Sequence, residues 1–280
     1  MGSMTTIAHI SDVHFGKEDP VIVRGLLQAI AEAAPDIVVL SGDLTQRARK
    51  KQFKAARNFL NALPEVPQIV IPGNHDVSLT SLMDRAIKPF KRFKRYITPD
   101  LSPYYEDDEV AIAGINTVRL ATVNDGRIKP RVVKIACDQL SGSGKNKARV
   151  VVTHHPLDVK PGNWKERTVS RSKAAMKQFG DIGVDLFLSG HLHTRRTIET
   201  SARYKFKGYS AVVVHAGTST STRRRGEPNA WNLIRISEVG ADYGSIEVEP
   251  MQWDGSKFQP MAQERYIKGQ NGWALKQSKK

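Results

Sequence analysis

The sequence predicts an α/β fold, a four-layer α/β/β/α sandwich in which two mixed sheets pack face to face with helices outside. Three features of the chain predict it. Its first part alternates short apolar runs with amphipathic stretches, the part beyond His193 changes to strand after strand, and no Gly-, Ser- or Pro-rich linker separates the two. One domain over residues 4–250 is expected. A polar arm or tail over 251–280 should follow it, and residues 1–3 read as an expression scar ahead of the native start.

Thr5 to Ile10 reads as a buried strand, after which Asp19-Pro20 supplies an N-cap and a first-turn proline for a helix through about Ala34. Ile37 to Leu40 is the second strand. A basic amphipathic helix follows from Ala48 to Ala62, and Gln68 to Ile71 is a third apolar run closed by Pro72-Gly73. This β-α-β-α-β order implies parallel strands with right-handed crossovers, and ligands of such sheets sit beyond the carboxyl ends of the strands. The spacing then predicts a helix over Ser81 to Tyr96 and strands at Val110 to Ile115, Arg149 to Val152 and Val184 to Leu188. Beyond His193, strands are predicted at Arg196 to Glu199, Ser210 to His215, Ala230 to Ile236 and Ser245 to Glu249.

Composition narrows the class of partner. With 280 residues the chain can bury a full core, and its longest apolar runs fall far short of the roughly 20 residues a membrane span needs. A lone Cys137 rules out an internal disulfide and agrees with a reducing cytoplasm. The net charge of +15 favours anionic ligands: nucleotides, nucleic acid or an anionic membrane surface.

Each strand of the first part runs into metal-ligand residue types. In order these are Asp12-Val13-His14, Gly42-Asp43, Gly73-Asn74-His75-Asp76, His154-His155 and Gly190-His191-Leu192-His193, which together hold six of the eight histidines. Singly each motif is weak, since Gly-Asp is a common turn and an isolated His is more often a satisfied core residue. Five in order, all at strand ends, point to one assembled site. His9 and His215 lie inside strands and read as core or supporting residues. Carboxylate and imidazole donors without thiolates suit Mn, Fe or Zn in a binuclear centre rather than a structural zinc. A carboxylate such as Asp43 can bridge two ions through its two oxygens. Two ions about 3.5 to 4 Å apart clamp a phosphoryl group and turn a shared water into a hydroxide nucleophile near neutral pH. His75 is the expected general acid for the leaving oxygen, with Asp76 as the carboxylate that orients it.

These motifs resemble the calcineurin-like metallophosphoesterase superfamily, whose pattern is Asp-x-His, Gly-Asp, Gly-Asn-His-(Asp/Glu), His, and Gly-His-x-His. The resemblance spans Asp12 to His193. Within the superfamily, His9-Ile10-Ser11-Asp12-Val13-His14-Phe15-Gly16, Gly42-Asp43-Leu44-Thr45, His154-His155-Pro156 and Gly190-His191-Leu192-His193 are similar to the bacterial class III cyclic-nucleotide phosphodiesterases and glycerophosphodiesterases. It implies one metal site from Asp12, His14, Asp43 and His193 and another from Asp43, Asn74, His154 and His191. His155 then stands behind the ligands, with the same sandwich and often a homodimer.

Two basic segments lie outside the shared motifs. Ser81 to Arg95 interleaves cations with apolar residues and reads either as an external helix packed by its apolar side or as a cap contacting lipid or polyanion. Arg223-Arg224-Arg225 reads as an exposed turn or as a phosphate grip, with Arg223 the substrate candidate. The expected activity is hydrolysis of a small anionic phosphodiester such as a cyclic nucleotide. The rivals are a nuclease, which the lack of a recognisable nucleic-acid-binding module disfavours, a UDP-linked lipid pyrophosphatase, and a non-catalytic scaffold of the kind found in the retromer complex. The full set of ligand residues argues against a scaffold.

Overall fold

Strand β1 (Met4–Ile10) is buried on both faces because its side chains serve two cores at once. Ile7 faces the space between the sheets, whereas Ala8 and Ile10 face the helices. The same division runs through β2 (Ile37–Leu40) and β3 (Gln68–Val70), so these runs read as continuously apolar rather than alternating. In the computed structural model, residues 4–78, 87–122, 124–144, 146–159, 168–223, 225–240 and 242–276 are described.

Helix α1 (Pro20–Ala33) starts as its sequence dictates: the Asp19 carboxylate accepts from the Val21 amide at 2.9 Å and Pro20 occupies the first helical position. Helix α2 (Lys50–Ala62) buries Phe53, Ala56, Phe59 and Leu60, and it begins two residues later than expected because Ala48 takes a left-handed φ of 49°. Of the helix expected over 81–96, α3 (Lys91–Tyr96) is present with Phe93 buried. Residues 79–86 lie outside the described residues.

The first sheet has eight strands, ordered β14-β13-β11-β10-β1-β2-β3 with β12 against β11. Here β10 is Ala230–Ser237, β11 Ser245–Trp253, β12 Phe258–Pro260, β13 Glu264–Gly269 and β14 Gly272–Leu275. The second sheet, β4-β5-β6-β7-β9-β8, contains β4 (Tyr104–Glu106), β5 (Val110–Ile115), β6 (Ala148–Thr153), β7 (Leu186–Ser189), β8 (Arg196–Glu199) and β9 (Val212–His215). β1, β2 and β3 are parallel, as are β5, β6, β7 and β9, while the remaining pairings are antiparallel, so both sheets are mixed. Helices α1 to α3 cover the first sheet. The second is covered by α4 (Pro130–Gly142) and α5 (Ser172–Asp181), two helices the sequence reading did not anticipate.

Of the segment expected to be a polar arm over 251–280, residues 251–276 are built into the fold and 277–280 lie outside the described residues. β11 continues to Trp253, and β13 and β14 extend the first sheet with Tyr266 and Trp273 buried in the layer between the sheets. The indole Nε1 of Trp273 donates to Asp185 Oδ1 at 2.9 Å, and the same carboxylate takes Lys268 Nζ at 2.8 Å. Main-chain pairing stabilises a strand whose outward side chains are polar, which is why composition alone suggested a tail. No helix among the described residues is long and apolar enough to cross a membrane.

Candidate metal centre

All five motifs leave the carboxyl ends of parallel strands, β1, β2 and β3 from one sheet and β6 and β7 from the other, and meet at the seam between the sheets. Backbone geometry marks the place. Asp12, His14, Asp43, His191 and His193 hold φ between 47° and 69°, a left-handed conformation that costs a side-chain-bearing residue energy. Glycines in the motifs leave room for these approaches. A Cβ on Gly73 would overlap Asp43, and one on Gly190 would overlap Ser11 and crowd Asp12.

Two groups of donors result. Asp12, His14, Asp43 and His193 form one, with ligand atoms within 4.8 Å of one another. Asp12 Oδ1 lies 3.4 Å from His193 Nε2 and 3.6 Å from His14 Nε2. His154, His155 and His191 form the other, and Asn74 Oδ1 joins it at 3.1 Å from both His154 Nε2 and His191 Nδ1. Asp43 belongs to both: its Oδ2 is 3.7 Å from His14 Nε2 and 3.4 Å from His154 Nε2. Its Oδ1 accepts from the His75 amide at 2.8 Å, which fixes the carboxylate plane.

The imidazoles are oriented from behind. His154 Nδ1 donates to the Ser41 carbonyl at 2.8 Å, and His193 Nδ1 to the Arg223 carbonyl at 3.0 Å, so each turns Nε2 to the cleft, where a bound cation would take the place of its proton. His155 Nδ1 is held by Thr117 Oγ1 at 2.8 Å, while its Nε2 is buried without a partner and stands beside His154 and His191. Its placement is thus as forward as theirs. His9 and His215 are buried and bonded to Ser41 and Ser189, and burial pushes them down to about 3 and about 4, which keeps them neutral.

Electrostatics favour cations here. Burial works to raise the Asp12 and Asp43 carboxyls, but the surrounding imidazoles outweigh it and hold both well below the usual range. The pull is mutual. Despite burial, Asp12 and Asp43 raise His14, and Asp43 lifts His154 to about 9. Asp12 Oδ1 and both ring nitrogens of His14 are buried without hydrogen-bond partners, an arrangement that a protein tolerates where a cation completes the bonding. Oxygen and nitrogen donors without thiolate fit borderline divalent ions.

His75 lies at the mouth of this cluster with its ring edge-on to His14 at 4.9 Å. Its Nδ1 donates to the Gln46 carbonyl at 2.8 Å, and its Nε2 accepts from Arg223 Nη1 at 3.0 Å. The expected orienting role of Asp76 is therefore corrected. Asp76 Oδ1 accepts from the Thr45 amide and hydroxyl and Oδ2 from the Leu44 and Gly73 amides, so this carboxylate ties two ligand loops together and leaves the ring to Gln46. Burial and the neighbouring Asp43 raise Asp76 to about 6 against those donors. Above the ligands is a cleft of about 190 Å³ lined by His75, Asp125, His155, Thr168, Arg223 and Arg225. Arg224 lies outside the described residues. The motifs did not flag Gln46, Thr117 or Asp125; only Thr45, within Gly42-Asp43-Leu44-Thr45, carried a signal.

Residues 5–195 match the family model for calcineurin-like phosphoesterases. The chain belongs to that family. A glycerophosphodiester phosphodiesterase from Enterobacter lignolyticus is 31% identical over 169 residues, 54% of this chain, and the match spans only 56% of that protein's length. Two solved structures share the calcineurin-like phosphoesterase fold at 12% identity. A purple acid phosphatase from yellow lupin seeds gives a TM-score of 0.66 over 96% of this chain and 54% of its own. A Danio rerio dimetal phosphatase gives 0.62 over 92% of this chain and 98% of its own.

Proposed function

We propose that this calcineurin-like phosphoesterase is a two-metal hydrolase of small phosphodiesters. The observation that carries the reading is Asp43, whose Oδ2 faces the donors of both groups and so can join two ions. One ion is assigned to Asp12, His14, Asp43 and His193, the other to Asp43, Asn74, His154 and His191, with His155 close enough to serve as a further donor. When bound, such ions would neutralise phosphoryl charge and lower the pKa of a coordinated water to make a nucleophile. The metals are drawn from Mn, Fe and Zn.

The chain's own residues supply the rest. Arg223 and Arg225 line the cleft and can hold the non-bridging phosphoryl oxygens. When Arg223 turns to phosphate, His75 Nε2 is freed toward the leaving oxygen. Nδ1–H is committed to Gln46, so the proton that His75 gives must travel through Nε2: taken from solvent, donated to the departing alkoxide. Asp76 keeps the Asp43 and Asn74 loops in register. The similar glycerophosphodiester phosphodiesterase supports a diester as the substrate class. The lone Cys137 supports a cytoplasmic setting.

The test is a panel of bis(p-nitrophenyl) phosphate, cyclic nucleotides, glycerophosphodiesters, single-stranded DNA and a UDP-linked lipid. Turnover of the small diesters is expected, and a preference for DNA or the lipid would reverse the ranking. His75→Ala should lower kcat by about 10²- to 10⁴-fold with metal content unchanged. Wild-type turnover in that variant would remove His75 from the mechanism.

A further inference from the structure

Two neighbouring elements outside the first sheet carry many cations and no acid. Residues 44–63, which include α2, hold Arg47, Arg49, Lys50, Lys51, Lys54 and Arg57; residues 87–97, which include α3, hold Lys88, Lys91, Arg92, Lys94 and Arg95; neither stretch contains Asp or Glu. The elements lie side by side. Phe53 meets Phe93 at 6.3 Å and Tyr96 at 6.4 Å, and Arg57 Nε donates to the Tyr96 carbonyl at 2.7 Å. Cations of both converge, since Lys50 shares one pocket with Lys88, Lys91, Arg92 and Arg95. Cations so closely spaced, with no Asp or Glu within either stretch, make an anionic surface the complementary partner of this face.

Beside them the surface is apolar. Ile87, Pro89, Phe90 and Leu101 line a groove of about 640 Å³ rimmed by Lys88, Lys91, Lys94 and Arg95. Ile87 is 66% exposed. An exposed apolar groove ringed by lysines matches the boundary of an anionic bilayer, where headgroup phosphates meet acyl chains. A nucleic acid would use the cations but leave the apolar groove of Ile87, Pro89, Phe90 and Leu101 facing phosphate.

We propose that this face docks on an anionic lipid bilayer, with Ile87 and the groove entering the headgroup boundary and the surrounding lysines and arginines meeting lipid phosphates. The face adjoins the loop that carries His75, because Asp76 and Ser78 line the same pocket as Lys50 and Lys91. Docking therefore sets the cleft beside the membrane without depending on which ester it cleaves.

Cosedimentation of the full chain with vesicles tests this. The chain should sediment with phosphatidylcholine vesicles containing about one third phosphatidylserine, at roughly 0.1 M salt, and stay in solution with phosphatidylcholine alone. Binding should fall steeply as salt rises. A Lys91→Glu/Lys94→Glu variant with an unchanged Tm should lose binding by about tenfold or more, and Ile87→Ser should weaken it while leaving retention of single-stranded DNA unaltered. Equal sedimentation with both vesicle types, no binding to the anionic ones even at low salt, or stronger binding to DNA with no effect of Ile87→Ser would each overturn the proposal.

Discussion

At His75, the chemistry of the site depends on which atom holds each ring nitrogen. The sequence places His75 between Asn74 and Asp76 and so suggests the adjacent carboxylate as its partner, yet the chain turns so that the Gln46 carbonyl reaches Nδ1 and Asp76 faces four donors, three on the Asp43 loop and one from Gly73 in its own. A carboxylate surrounded by amide donors is better satisfied there than against a single imidazole. Asp158 shows the opposite case. It is fully buried, Oδ1 accepts from the Val159 amide at 2.8 Å, Arg203 Nε stands 3.9 Å away, and Oδ2 has no partner. Burial pushes its carboxyl up to about 7. Between an unfolded value near 3.8 and that folded value the native state keeps a proton the unfolded chain has lost, so stability falls as pH rises through this window. Asp158→Asn should remove that part of the slope, on the order of 3 kcal/mol between pH 4.5 and 7.5. Urea unfolding of both proteins at the two pH values measures it, and equal slopes would show that Asp158 is ionised in the native state. Ligand types were legible because chemistry restricts them to His, Asp and Asn. Their supporting atoms were not, because a carbonyl such as those of Gln46 or Ser41 leaves no mark in a sequence.

Among the elements, the strands that carry ligands were readable because both faces are buried, which forces runs such as Ile37–Leu40 to be wholly apolar. β13 and β14 were not. Only Tyr266 and Trp273 point into the layer between the sheets, and the flanking Arg265, Lys268 and Asn271 give the stretch the composition of a tail. Helices α4 and α5 escaped notice for a related reason: each presents only one stripe, Val133-Ala136-Cys137-Leu140 and Ala175-Met176-Phe179, within a polar sequence. The last strands help to join the two sheets, because Trp273 on the first bonds Asp185, the residue that leads into β7 of the second. Trp273→Ala should therefore cost about 3 to 5 kcal/mol, a loss characteristic of a buried aromatic side chain. A Tm within a degree or two of wild type would mean that β14 is dispensable.

For the molecule as a whole, the candidate site follows from packing two sheets face to face so that their strand ends meet at one seam. Neither sheet alone supplies a complete donor set: β1, β2 and β3 bring Asp12, His14, Asp43 and Asn74, while β6 and β7 bring His154, His155, His191 and His193. Forces that keep the sheets in register, from the shared apolar layer to the Trp273–Asp185 bond, also set the distances within the candidate metal centre. Charge is distributed just as unevenly, with two carboxylates at the centre of the site, arginines at its rim and, beside it, a cationic face whose stretches 44–63 and 87–97 hold no Asp or Glu. Asp43 carries the central claim, and metal content measured by mass spectrometry after reconstitution with Mn²⁺ or Zn²⁺ tests it most directly. The wild-type chain should hold two ions, and Asp43→Asn, folded by circular dichroism, should hold one or none. Occupancy of one ion in the wild type, or two retained in the variant, would contradict a centre bridged by Asp43.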